Sequence, residues 1–203
     1  HWEGRFTDDA ESTTSEIMVV MEKNKTITAY FDKADCQLTL NTTGLEEEEE
    51  VLLRPGSGTR GFRYGAQVHL EAYPPSDGTI AFLGWTGDSI SPNPEQTLVM
   101  DRDRVVTANY GPPDKERTAA LKVLQSKGTG TCRIHPLQSG TYLFLKGAEI
   151  QLTVAMAEGT YFGGWSHDYN GSIQYQGLPV VLDEAKTLAP VTSTSGGTLV
   201  LML

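Results

Sequence analysis

The residues of this chain that could do chemistry gather at a few points. Its two cysteines, Cys36 and Cys132, and its four histidines, His1, His69, His135 and His167, are the candidate soft metal ligands. None of them stands at the close spacing that a zinc site takes from one hairpin or helix. Carboxylates cluster at Asp8-Asp9-Ala10-Glu11, at Glu46 to Glu50 and at Asp101-Arg102-Asp103. Calcium sites mix spaced Asp, Asn and Gly ligands, whereas consecutive Glu side chains alternate across a strand. The Glu run reads as a solvated, self-repelling hairpin tip, and the other two clusters fall where turns are expected. Ser166-His167-Asp168 holds the three residue types of a nucleophilic triad. Three neighbours in sequence cannot face one another as a working triad requires. A glycosidase pair would need an isolated acid in apolar surroundings that raise its pKa. Here the acids recur at turns, so no catalytic residue, cofactor or metal ligand is expected.

Aromatic side chains offer a different chemistry, the stacking of sugar rings. The candidates are Trp85, Trp165, Tyr73, Tyr161, Tyr169 and Tyr175. The tryptophans read first as core plugs, because each stands beside glycines in an otherwise apolar strand. The polar loop that carries Tyr169 and Tyr175 is the better candidate for a ligand loop. Cys132 falls within a predicted strand and reads as a small buried apolar residue, while Cys36 precedes one. A disulfide between them is the alternative in an extracellular setting.

These residues sit in a chain of 203 residues and 22.1 kDa. Hydrophobic residues make up 38% and charged residues 21%, ordinary proportions for a folded protein. The formal net charge is −10. That acidity argues against nucleic acid or an anionic membrane as the ligand, since both want a basic patch. The longest apolar run, Leu199 to Leu203, falls far short of the ~20 residues that span a bilayer as a helix. The chain opens at His1 without a signal peptide, as expected of a mature product or a piece of something longer.

The order in which the elements come is repetitive. Trp2, Trp85 and Trp165 recur at a spacing of about 80 residues, the clearest marker of an internal repeat. Phe82-Leu83-Gly84 precedes the second and Phe162-Gly163-Gly164 the third. After each Trp comes a strand, a turn rich in Asp, Asn and Lys, and a second strand. These are Ile17 to Phe31, Leu98 to Tyr110 and, more loosely, Val180 to Val191. Gly65 to Ala72 matches Gly147 to Val154, with Val68, Leu70 and Ala72 alternating as Ile150, Leu152 and Val154 do. Leu38-Thr39-Leu40 matches Leu121-Lys122-Val123, and Leu53-Arg54-Pro55 matches Ile134-His135-Pro136. The chain thus reads as about two and a half copies of one unit. Residues 1–33 are a C-terminal half, 34–112 a full copy, 113–193 a divergent copy, and 194–203 a tail or the start of a further strand. No amphipathic helix is evident; Asp114 to Leu124 reads as one helical turn followed by a strand from Ala120. The expected class is all-β or mainly β, as tandem small modules of β-grasp-like or small-sandwich form.

Phe82-Leu83-Gly84-Trp85-Thr86-Gly87-Asp88, then Asn93-Pro94, then Met100-Asp101 and Val106-Thr107-Ala108-Asn109-Tyr110, resembles the divergent internalin-type B-repeat family. The third copy keeps Gly164, Trp165, Ser166 and Asp168 but has His167 in place of Gly and no Asn-Pro. The first keeps Trp2, Gly4, Met21 and Thr28-Ala29-Tyr30-Phe31. The resemblance implies small β modules strung along large secreted or surface-anchored proteins, with Trp2, Gly84, Trp85, Gly87, Asp88, Gly164, Trp165 and Asp168 as structural signature. It brings no catalytic residues. Physically, the Trp is a large apolar anchor, the glycines let the backbone turn, and the Asp suits an Asx turn in its own loop.

The expected function is a non-enzymatic stalk, matrix or filament segment outside the cell, partnered by neighbouring repeats or copies of itself. A glycan or cell-surface protein is the partner if the loops bind, as in an adhesin or carbohydrate-binding module. An accessory domain of a secreted hydrolase is the third reading. The tail Leu199-Val200-Leu201-Met202-Leu203 reads as a strand without a sheet, which suggests strand exchange with the incomplete first copy of a neighbour.

Overall fold

The computed structural model of the protein describes residues 2–4, 24, 26–29, 35–46, 51–169 and 176–194. Among them every regular element is a strand, and no helix is long and apolar enough to cross a membrane. Two short strands come first, β1 (Trp2–Gly4) and β2 (Ile27–Ala29). Next are β3 (Cys36–Thr43), β4 (Leu52–Arg54), β5 (Gly58–Phe62), β6 (Ala66–Tyr73), β7 (Asp77–Gly87), β8 (Glu95–Met100) and β9 (Arg104–Gly111). The second half holds β10 (Thr118–Val123), β11 (Lys127–Gly128), β12 (Cys132–His135), β13 (Gly140–Leu145) and β14 (Ala148–Met156). It ends with β15 (Tyr161–His167), β16 (Gly177–Leu182) and β17 (Lys186–Ser193). The strand predicted from Ala120 begins two residues earlier. Before it, Thr118 N–H donates to Asp114 O at 2.6 Å, closing a single turn.

The pairing pattern occurs twice. β3 lies antiparallel to β5 and parallel to β9, and β9 lies antiparallel to β7. In the same way β10 lies antiparallel to β13 and parallel to β17, and β17 lies antiparallel to β15. Two three-stranded sheets repeat likewise, β4-β6-β8 and β12-β14-β16. Even β1 and β2 keep the register: Trp2 faces Ala29 and Gly4 faces Ile27, as Trp85 faces Ala108 and Gly87 faces Val106.

Alternation drives this packing. Along β6, Val68, Leu70 and Ala72 are buried while His69 is exposed, and β14 buries Ile150, Leu152 and Val154 in the same way. A period of two puts every second side chain on one face. Those faces meet the buried residues of β3, β9, β10 and β17 in one hydrophobic cluster. Burial at ~25 cal/mol per Å² makes that shared core the main source of stability.

The two halves are joined edge to edge. β13 pairs parallel with β7, so a single long sheet runs through both halves. At this joint Phe144 faces Phe82 and Leu143 faces Ala81. Phe144, Phe82 and Ala81 are fully buried. Tyr73 meets Phe144 edge-on, with ring centroids 6.4 Å apart. Thr141 N–H donates to Ser76 O at 2.7 Å, and Glu149 N–H donates to Asn93 Oδ1 at 2.9 Å. Gly140 is what lets the backbones come this close, because a Cβ there would lie 2.6 Å from Ser76 O. We expect Gly140→Ala to cost about 1–3 kcal/mol in chemical denaturation, as overpacking against backbone does. A loss under ~0.5 kcal/mol would show that the joint yields freely.

Candidate functional site

The residues singled out by their recurrence come together around the strand that carries each Trp. β7 is irregular between Phe82 and Trp85, and β15 is irregular between Phe162 and Gly164. Phe82 faces Tyr110 while Trp85 faces Ala108, so one extra residue sits on the β7 side. Such a bulge turns the strand by one side chain. Without it, residues three apart would point to opposite faces. With it, Phe82 and Trp85 both face the core, where they are 0% and 1% exposed. Their rings meet edge-on, with centroids 5.7 Å apart and planes at 72°, and Phe162 and Trp165 repeat both values. The residues before each Trp, Leu83-Gly84 and Gly163-Gly164, hold the bulge.

Gly84 stands at φ 96°, and a Cβ there would lie 2.8 Å from Ser91 O. The approach allows Trp85 N–H to donate to Ser91 O at 2.8 Å and the indole Nε1–H to donate to Asn93 O at 3.0 Å. The Asn93-Pro94 segment is thereby folded over the Trp. Asn109 closes the same region from β9, donating through Nδ2 to Gly84 O at 2.9 Å and Thr86 Oγ1 at 3.0 Å.

The conserved-looking Asp acts differently from the expected local Asx turn. Asp88 Oδ2 accepts from Val105 N–H at 2.7 Å, and Asp88 N–H donates to Val105 O at 2.8 Å. Asp168 makes the same two bonds with Thr187, at 2.5 and 3.1 Å. Each Asp therefore clamps the charged turn that leads into the last strand. Nothing local in the sequence points to a partner two strands further on. The Val105 N–H, with Arg102 beside it, holds the Asp88 carboxyl below its ordinary 3.8.

The departure from the motif at His167 has a structural cost. Gly87 occupies φ 95°, and His167 keeps the left-handed region at φ 62°. A non-glycine residue there costs roughly 1–2 kcal/mol.

The chemistry-bearing candidates are placed as follows. Trp85, Trp165 and Tyr73 are buried and present no stacking face. Tyr169 is half-buried against the core, and Tyr161 is 54% exposed. Tyr175, the Asp8 to Glu11 cluster, Glu47 to Glu50 and the tail Leu199 to Leu203 lie outside the described residues, as does the side chain of Trp2. Asp101 pairs with Arg104 at 2.6 Å, and Asp103 Oδ1 accepts from Gln37 N–H at 2.7 Å. Among the described residues no three His, Cys, Asp or Glu side chains form a group that could hold a metal.

Both cysteines are free thiols, so the bond between them is not formed. Cys36 is the first residue of β3 rather than preceding a strand, and it is more buried than Cys132. Its thiol lies 3.6 Å from Met100 O. Burial pushes both thiols up, away from the reactive thiolate. An open cleft beside β12 is lined by Gln125, Ser126, Cys132, Arg133, Ile134 and His135.

Two outcomes follow. His167→Gly should stabilise the chain by about 1 kcal/mol in urea unfolding, through relief of the left-handed strain. An unchanged or lower midpoint would mean that the imidazole makes up the difference. For Asp88 the folded pKa lies below the unfolded one, so its stabilisation is full above pH 3.8 and fades as pH falls through the lower folded value. Asp77 is lowered as well by hydrogen bonds from Thr79, and Asp183 by Lys186 beside it. Asp88→Asn should therefore show a shallower loss of stability as pH falls below about 4 than the unsubstituted chain. Equal slopes would remove the clamp from the acid response.

No curated protein and no solved structure matches the chain. A family model does match, over residues 55–113, the segment that holds β5 to β9 with Trp85 and its bulge. That model describes a divergent InlB B-repeat domain, and the middle segment of the chain is similar to it.

Proposed function

We propose that the chain is a tension-carrying tandem-repeat segment of an extracellular or cell-surface protein, and that it is not itself an enzyme. The family match over residues 55–113 is compatible with a surface-protein repeat segment. The repeat limits we favour are 34–112 and 113–193, with 1–33 as the C-terminal half of another copy. The matched segment omits β3, yet β3 is hydrogen-bonded between β5 and β9. A unit that begins at β3 closes its own sheet.

The observation that carries the reading is the parallel pairing of the first and last strands of each unit. Leu38 through Thr43 pair with Arg104 through Asn109, and Leu121 through Val123 pair with Lys186 through Leu188. Pulling a unit by its two ends draws parallel neighbours past each other. The bonds of the ladder then resist together, in shear. Pulling both strands from the same end would open the ladder one bond at a time. A repeat whose ends are placed this way suits a stalk or matrix element, where length grows with copy number and every copy carries the same tension.

Single-molecule force spectroscopy tests this. Handles at the chain ends should give a markedly higher unfolding force for residues 34–112 than handles at Asp35 and Arg102, which pull β3 and β9 from one end. Equal forces in the two geometries would remove the mechanical argument.

A further inference from the structure

We propose that the outer edge of β12 binds an extended acidic segment of a partner protein by strand addition. This goes beyond the repeat reading and needs only the second half of the chain. Among the described residues β12 is the edge strand of the β12-β14-β16 sheet and pairs with β14 alone. The ladder shows which of its backbone groups are unused. Ala157 N–H donates to Thr131 O at 3.1 Å, one step before Cys132 faces Met156. Val154, which faces Ile134, turns its N–H the other way, to Gln176 O at 3.1 Å. Bonded and non-bonded pairs alternate along an antiparallel ladder. Arg133 and His135 therefore bond to Ala155 and Thr153, while the N–H and C=O groups of Cys132 and Ile134 point away from β14.

Those groups meet an open space. The cleft beside β12 has a volume of about 630 Å³, and both Cys132 and Ile134 line it. Ile134 is only 8% exposed and its side chain belongs to the core, so its part of the cleft wall is chiefly backbone. An unpaired row of N–H and C=O groups is a template for another strand.

The side chains at this edge select an acid. In a strand laid beside β12, alternate side chains stand next to Arg133 and His135, which are both exposed. Arg133 faces Ala155 and His135 faces Thr153, so neither has a carboxylate across the ladder. Among the described residues neither makes an ion pair, and no Asp or Glu lines the cleft. The first half is different. Arg54 holds the place of His135 and faces Glu71, which it meets at 3.5 Å, and Leu52 holds the place of Arg133. The first half thus neutralises its own cation, whereas the second leaves an arginine and a histidine open. An anionic glycan could use Arg133 too, but it would leave the row of backbone groups unmatched. The net charge of −10 works against an acidic partner at long range, so binding should be weak and local.

The test titrates the 203-residue chain with a capped peptide of alternating threonine and glutamate, about seven residues long, and reads amide hydrogen exchange by NMR. In the free chain the Arg133 and His135 amides should be protected, while those of Cys132 and Ile134 exchange quickly. Saturating peptide should slow Cys132 and Ile134 by about tenfold or more. Arg133→Glu should weaken binding by about tenfold or more. Thr153→Glu, which gives His135 the acid that Arg54 has in Glu71, should weaken it as well. Arg54→Ala should bind as the unsubstituted chain does, and a threonine–lysine peptide should not bind. Thr153 is exposed, and thermal melts establish that each variant is folded. No binding, binding undiminished in Arg133→Glu, or binding lost in Arg54→Ala would each overturn the site. Binding that leaves the Cys132 and Ile134 amides exchanging quickly would overturn the strand addition. A sulfated oligosaccharide that binds through Arg133 where the peptide does not would also overturn it, and would assign the cleft to anionic glycans. None of these results bears on the force geometry, so the repeat reading stands or falls separately.

Discussion

The ladder between the first and last strands of each unit is the contact on which the other features depend. β3 can sit beside β9 only because the chain returns to it after five intervening strands, β4 to β8. Parallel neighbours require such a crossover. The return lays the buried faces of β6 and β8 over those of β3 and β9, which is where the core forms. The Trp signature lies on β7, two strands before β9 completes that return. Its bulge, the loop folded over it and the Asp clamp all act at the point where the chain turns back toward β3.

The Trp itself therefore does more than fill space. The bulge brings Phe82 and Trp85 to one face, and the left-handed Gly84 brings the Ser91 to Asn93 backbone close enough to receive both Trp N–H groups. Asp88 then holds the start of β9 in register with β3. In the second half Phe162, Trp165 and Asp168 keep these roles although the Asn-Pro and the second Gly are gone. The tolerance is physical: a ring pair and a carboxylate clamp survive changes in the loop between them, at the cost of a strained His167.

The joint between halves shows how one unit differs at its two sides. One edge carries a β13-type strand and the other a β7-type strand, and the pairing β13 with β7 uses one of each. The parallel ladder within each half and the ladder between the halves are therefore made by different strands.

Much of this was legible in the residues. Alternation marked β6, β9 and β14, the Trp recurrence marked the two bulged strands β7 and β15, and the charged turn marked the hairpin into β9. The internalin-type resemblance led to the segment that the family model matches. The burial of Trp85 and Trp165 followed from their type and neighbours. The partner of Asp88 did not, since its clamp reaches seventeen residues along the chain to Val105 where a local turn was the simpler expectation. The state of Cys36 and Cys132 did not either, because spacing says nothing about distance. By itself the sequence determined strand character and which side chains go inward, for these depend on local periodicity and size. Only the tertiary structure decided which strands are neighbours. That choice is made by backbone N–H and C=O groups, which are alike at every residue and leave no mark in the sequence.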